Sequence, residues 1–357
     1  MKMMGKRNGM AAVCRLSAVM LLILMLTGCL TGCEENTAVA ETEDIGSGPA
    51  LEIGLSLDSL VIERWIRDRD VFVSTAKNLG ANVNVQNANG DVDEQIEQIE
   101  YFIKKQMDVI VVVAGDCDKL SEVMKKAKDA GIKTMSYDRL VRNADCDMYI
   151  SFDNEEVGVL MAQALREAIP EGGDILMIQG PTTDRNVEQV RSGFCRIIDQ
   201  TNLNIVYQTN CDGWLPENAF IQVKEGLEEH KNIRGIMCGN DDLATQAFRV
   251  LSEEQLVGSV VLVGQDGDLI ACQRIMEGTQ QMTAFKSVTD EARLAAEYAV
   301  MLANGEPLAG IGKTISDGTY DVPCLELMPV ALTRDNMEQL VIQGGYHARE
   351  DVYLNVK

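Results

Sequence analysis

Amide, carboxylate and cationic side chains recur directly after the apolar runs of this 357-residue chain. Asp138 and Arg139 follow the run KTMSY, while Asn240, Asp266 and Lys286 follow IRGIMCG, SVVLVGQ and QMTAF. Such groups can bridge adjacent hydroxyls of a polyol, because every buried hydroxyl needs a hydrogen-bond partner. Any one of these residues could instead begin a turn or cap a helix. As a set they favour a neutral, hydroxyl-rich ligand.

Aromatic side chains would cover the apolar faces of such a ligand. The two tryptophans, Trp65 and Trp214, stand among polar residues in ERWIRD and CDGWLPEN, which favours pocket walls over core positions. The sequence lacks a phosphate-binding loop and a dinucleotide-binding glycine motif. His230 and His347 have no partner at ligand spacing, so we expect neither a metal nor a cofactor.

The elements that must position these residues alternate between apolar strands and helical stretches. Strands this apolar are typical of parallel sheets covered on both faces, so we predict an α/β fold. It consists of two doubly wound lobes with a hinge and an interlobe cleft, where ligands meet the carboxyl ends of strands. The predicted N-terminal lobe is 50–153 plus 287–317, and the C-terminal lobe is 154–286 plus 318–357.

The N-terminus has the pattern of an export signal, with four basic residues, a short apolar run and the repeated tetrapeptide LTGC. Leu-Thr-Gly-Cys resembles the bacterial lipobox, in which the cysteine is acylated. Residues 1–28 are therefore predicted to be a lipoprotein signal peptide, with Cys29 acylated and Cys33 as the alternative. Residues 29–49 form an acidic linker. The predicted location is the outer face of the cell membrane or the periplasm.

Charge and cysteine content exclude several classes of protein. The formal net charge of −23 disfavours nucleic acid as a partner. Seven scattered cysteines in the globular part make a poor disulfide framework. A sugar-responsive repressor would need a DNA-binding helix pair and a basic face.

The motifs ERWIRDRD, SYDR, YISFDNEEVG, CDGWLPENA, GNDD, GQDGD and AFKS occur in this order along the chain. Together they resemble the bacterial D-xylose-binding proteins of sugar ABC transporters, within the type I periplasmic-binding-protein family. The resemblance implies two lobes that close on a monosaccharide, with D-xylose as the expected sugar, and deliver it to a permease. It also implies a monomeric binding protein and not an enzyme.

The resemblance assigns sugar-contacting roles residue by residue. Trp214, with Trp65 as a second wall, would cover the ring faces, and the hydroxyls would be held by Arg64, Asp138, Arg139, Asn186, Asn240, Asp266 and Lys286. Where the family tends to have consecutive asparagines, this chain has TTDRN. Asn186 is the matching residue there, and Arg185 adds a cation that leaves another pentose open as the ligand.

Two alternatives to transport remain. A lipoprotein of this kind could present its bound sugar to a membrane histidine kinase or chemoreceptor. An anchored carbohydrate hydrolase could use cleft carboxylates such as Asp138 and Asp266. The neighbouring cations Arg64, Arg139 and Lys286 argue against hydrolysis, because they would hold those carboxylates ionised.

Overall fold

The computed structural model of the protein describes residues 50–356. The predicted signal peptide, the linker and the candidate lipidation residues Cys29 and Cys33 lie outside these residues. Within the described part, every helix is too short or too polar to cross a membrane.

Strands and helices alternate along most of the described chain. Strands β1 to β13 span Leu51–Leu57, Ala81–Asn87, Val109–Val113, Lys133–Tyr137, Met148–Phe152, Gly173–Gln179, Leu203–Asn210, Gly235–Cys238, Val261–Asp266, Met282–Phe285, Lys313–Ser316, Asp321–Leu327 and Val330–Leu332. Helices α1 to α10 span Arg64–Asn78, Val92–Lys105, Ser121–Asp129, Asn154–Ala168, Arg185–Ile198, Pro216–Glu229, Asp241–Glu253, Leu269–Glu277, Val288–Ala303 and Arg349–Val352. Short 3-10 and π turns cover Asp212–Trp214 and Glu338–Ile342.

The strands form two sheets, one in each lobe. The first has the order β11-β12-β5-β4-β3-β1-β2, and the second has the order β13-β10-β9-β8-β6-β7. Pairing is parallel except for β11 with β12 and β10 with β13. The predicted α/β fold with two parallel-dominated lobes is confirmed.

Helices cover both faces of each sheet, which explains why the central strands are apolar throughout. In β3, Val109, Val111 and Val113 pack into a core shared with α1 and α9. The alternate residues Ile110 and Val112 pack against α2 and α3 on the other face. Strand β6 alternates in the same way between two cores. A strand buried on both sides cannot show the polar alternation of a half-exposed strand.

The chain passes three times between the two sheets: between β5 and α4, between β10 and α9, and between β12 and β13. The sequence predicts residues 318–357 in the C-terminal lobe, but β12, within that range, belongs to the first sheet. It pairs in parallel with β5, through Cys324 opposite Tyr149. The apolar run VPCLEL shows that a strand forms but not which sheet it joins, because its partner lies far away in sequence.

The cysteines of the described chain are free thiols. Cys117, Cys146, Cys211, Cys238, Cys272 and Cys324 are buried, and Cys195 is half-buried. They act as small core residues, consistent with their apolar sequence surroundings. Among residues 50–356, no group of three His, Cys, Asp or Glu side chains is arranged to hold a metal ion.

Candidate functional site

One cavity between the lobes brings together all of the residues that the sequence singles out for ligand binding. The space between these side chains, including the part that is open to solvent, is about 290 Å³. The predicted residues that line it are Arg64, Trp65, Asp138, Arg139, Asn186, Trp214, Asn240, Asp266 and Lys286. Ile62, Asp184 and Gln265 complete the lining. The cavity therefore lies where the strands of both sheets end, as expected for an open parallel sheet.

The first lobe contributes its polar groups from the start of α1 and the end of β4. Arg64 donates from Nη1 to Asp138 Oδ2 at 2.9 Å. Arg139 donates from Nη1 to Asp58 Oδ2 at 2.8 Å and to the carbonyl oxygen of Ala114 at 3.0 Å. Asp138 has a φ of +58°, so the chain turns sharply after β4 and presents both side chains to the cavity.

Arg64 is held on its far side by two further acidic side chains. Asp68, one turn along α1, accepts from its Nε and Nη2 at 3.2 and 3.1 Å. Glu291 on α9 accepts from Nη2 at 2.6 Å, and the hydroxyl of Tyr137 donates to Asp68. A guanidinium held at this many points loses little further freedom when a ligand binds.

The second lobe contributes the ends of β8, β9 and β10. Asn240 caps α7, accepting from the backbone N–H of Leu243 at 2.9 Å. Asp266, the last residue of β9, lies 2.9 Å from Lys286 Nζ and 3.9 Å from Arg64 Nη1. This carboxylate therefore links the second lobe to a cation of the first.

The loop between β6 and α5 contributes Asp184, and the first turn of α5 contributes Asn186. Asp184 caps α5, accepts from Trp214 Nε1 at 3.2 Å and forms an ion pair with Arg139 Nε at 2.9 Å. Asn186 donates from Nδ2 to both Oδ1 and the backbone oxygen of Asp138, each at 3.0 Å.

Sequence reasoning missed Asp184 as a cavity residue. An aspartate just before a helix is explained by capping alone, so nothing in the sequence indicated that Asp184 also lines the cavity. Gln265 was visible only as one more polar residue at a strand end.

The two tryptophans are buried walls of the cavity, with 2% of Trp65 and 5% of Trp214 exposed. The Arg64 guanidinium carbon lies 4.4 Å from the Trp65 ring centroid. On the other side, a Cβ atom at Gly180 would lie 2.2 Å from the Trp214 ring. The indole can approach the end of β6 this closely only because residue 180 has no side chain.

Four buried atoms of uncharged side chains that line the cavity have no hydrogen-bond partner among the described residues. Two are donors, Trp65 Nε1 and Asn240 Nδ2, and two are acceptors, Asn186 Oδ1 and Gln265 Oε1. Buried polar atoms are rarely left unpaired in proteins. A ligand that both donates and accepts hydrogen bonds, as a hydroxyl does, would satisfy all four.

The charges of the cavity keep Asp138 ionised. Burial alone would raise its pKa, but Arg64, Lys286 and Arg139 together hold the pKa of Asp138 below its usual value. Burial instead raises the pKa of Glu291 well above the ordinary range, despite the nearby Arg64. An ionised Asp138 is a strong acceptor for a hydroxyl and is unsuited to donate a proton to a leaving group.

Known proteins are similar to this chain over most of its length. The family model described as a periplasmic binding protein domain matches residues 53–307. The D-xylose-binding periplasmic protein of Escherichia coli (strain K12) is 40% identical over 322 residues, covering 88% of this chain and 97% of that protein. The D-xylose-binding periplasmic protein of Haemophilus influenzae is 41% identical over 308 residues, covering 85% of this chain and 92% of that protein.

Solved structures show the same fold. An ABC transporter solute binding protein from Clostridium phytofermentans, with bound β-D-glucose, superposes with a TM-score of 0.77 at 24% identity. The match covers 84% of this chain and 99% of that one. Since the family model and the relatives span most of the sequence, this chain belongs to the type I periplasmic binding protein family, whose members are binding proteins and not enzymes.

Proposed function

We propose that this protein captures a monosaccharide, preferentially D-xylose, in the cavity between its lobes and delivers it to an ABC permease. The observation that carries the proposal is the convergence of nine expected sugar-binding residues on one cavity. Two relatives at least 40% identical over most of the chain bear the name of D-xylose-binding proteins.

Each lobe supplies part of the proposed contacts. On the first lobe, Arg64, Asp138 and Arg139 bind ring hydroxyls through charged groups. On the second lobe, the corresponding groups are Asn186, Asn240, Asp266 and Lys286. The unpaired atoms on Trp65, Asn186, Asn240 and Gln265 add two donors and two acceptors for the hydroxyls. Trp65 and Trp214 cover the apolar C–H faces of the ring.

Binding is coupled to closure of the lobes. Only the closed arrangement places both sets of side chains around one ligand, so the sugar stabilises that arrangement. The permease would then distinguish the closed, loaded protein from the open one. No chemical step is required.

The protein acts outside the cytoplasm, tethered through an acylated Cys29, or Cys33 in its place. A tether keeps the binding protein near its permease while leaving the two lobes in solvent. Incorporation of labelled palmitate, compared between the unaltered chain and the Cys29→Ala and Cys33→Ala variants, tests the anchor. If both single variants kept the label, the assignments of Cys29 and of Cys33 would both be contradicted.

Titration calorimetry tests the ligand. The chain from residue 29 onward, with Cys29 and Cys33 replaced by serine, is titrated with D-xylose, D-ribose, L-arabinose, D-glucose and D-galactose. We expect one-to-one binding that is tightest for D-xylose, at micromolar Kd or below, with no sugar consumed afterwards. Tighter binding of another sugar would refute D-xylose as the preferred ligand. No detectable binding of any of the five sugars would refute sugar capture.

A further inference from the structure

Four consecutive residues of the second lobe, 183–186, each contact the first lobe. The carbonyl oxygen of Thr183 accepts from the backbone N–H of Cys117 at 3.1 Å. Asp184 pairs with Arg139, and Asn186 donates to Asp138. Arg185 donates from Nη1 to the carbonyl oxygen of Ser316, on β11, at 2.9 Å. This 183–186 segment is therefore a continuous bridge between the lobes.

The bridge has an inner and an outer side. Asp184 and Asn186 line the cavity, where a sugar would contact them. Thr183 and Arg185 do not line it; they line a second groove with Cys117 and Arg142, and only Asp184 of the bridge borders both. The bond from Arg185 to Ser316 therefore joins the two lobes without using any atom of the proposed sugar site.

We propose that Arg185 is a closure latch that sets the affinity for every sugar without selecting among them. The proposal rests on the proposed function in one respect, namely that binding is read out with sugars. Its physical basis is that the latch can form only when the second lobe meets β11 of the first, so it lowers the free energy of the closed arrangement alone.

A latch of this kind changes affinity in a characteristic way. When only the closed form makes all of the ligand contacts, the apparent Kd depends on the fraction of protein that closes. Removing a contact specific to the closed form then multiplies the Kd of each ligand by the same factor. A residue that touched the sugar would instead change the Kd values unequally, because each epimer presents different hydroxyls.

The test compares Arg185→Met with Arg191→Met. The methionine retains the length of the arginine stem but cannot donate, and Arg191 is an exposed arginine of the same helix. We expect Arg185→Met to raise the Kd of every sugar that binds by one common factor of about 2 to 10. Arg185→Lys, which keeps a cationic donor, should recover part of the loss, and Arg191→Met should leave each Kd unchanged.

Small-angle X-ray scattering of the unliganded proteins gives an independent readout. If the wild type is already partly closed, Arg185→Met should increase the radius of gyration, and the radii should converge at saturating sugar. Unequal factors among the sugars, or unchanged Kd values together with an unchanged radius, would overturn the latch. If the wild type binds no sugar, the proposed function fails, while the scattering comparison still tests the latch.

Discussion

At the scale of single residues, the cavity is an arrangement of buried charges that neutralise one another across the two lobes. Asp266 is central to it, because this carboxylate lies 2.9 Å from Lys286 Nζ and 3.9 Å from Arg64 Nη1. A buried charge without a partner is costly, so removal of the carboxylate affects two cations as well as the ligand.

Asp266→Ala should therefore weaken D-xylose binding strongly, by about 3 kcal/mol, and also lower the free energy of unfolding. Titration calorimetry and urea unfolding measure the two effects. Asp335→Ala, at an exposed aspartate, is the control and should change neither. Normal sugar binding by Asp266→Ala would show that Asp266 is not a ligand-binding residue.

The sequence predicted residues of the cavity where a polar side chain directly ends an apolar strand, as at Asn240, Asp266 and Lys286. The sequence did not predict Asp184, whose side chain both caps a helix and lines the cavity. One oxygen of Asp184 caps α5, and the other meets Trp214 and Arg139. The ion pair with Arg139 depends on how the other lobe is placed, and local sequence does not encode that placement.

At the scale of elements, the glycine after β6 determines how the Trp214 wall is placed. The space above Gly180 is filled by the indole, and a Cβ atom built at Gly239, after the neighbouring strand β8, would lie 3.2 Å from the same ring. A side chain at position 180 would have to push the indole away or displace the end of the strand.

Gly180→Ala should accordingly lower the free energy of unfolding by about 1–3 kcal/mol and weaken sugar binding. Thermal unfolding and titration calorimetry on the same protein measure both. Gly312→Ala is the matched control, because nothing lies within 4 Å of a Cβ atom built there. If Gly180→Ala and Gly312→Ala had the same free energy of unfolding and the same sugar affinity, the close approach of the indole would not contribute to either.

Local sequence was sufficient for the strands and helices of the repeating units but not for the last part of the fold. Strands such as β3 are continuous apolar runs between turn residues, and α2 begins at the capping residue Asp91, which accepts from two backbone N–H groups. By contrast, β12 joins the first sheet by pairing with β5, which is distant in sequence, and β11 joins it through a hairpin with β12. The lobe of β12 could not be read from composition or period.

At the scale of the whole molecule, closure brings acidic groups of the two lobes together beside the cavity. Asp242, in the first turn of α7, has a pKa raised to about 6 by burial, by Asp266 and by Glu63 of the first lobe. Its Oδ2 atom is buried without a hydrogen-bond partner among the described residues. The native protein therefore holds a proton here that the unfolded chain releases near its ordinary pKa of 3.8.

The native state thus binds more protons than the unfolded chain between about pH 4 and pH 6, so this group destabilises the protein as the pH rises through that interval. Asp242→Asn should raise the free energy of unfolding at pH 8 by about 1 kcal/mol, allowing for partial exposure. At pH 4 the variant should match the wild type. Urea unfolding at both pH values measures the difference, and equal effects at the two values would contradict the raised pKa.

Both of the chain's tryptophans lie in the wall of this one cavity, and each has an arginine or a carboxylate close to its indole. Ultraviolet emission from the whole protein therefore originates almost entirely at the proposed binding site. A sugar that binds against these rings changes their surroundings and so alters that emission directly, without any attached dye. The unlabelled protein is, in effect, its own optical sensor of occupancy.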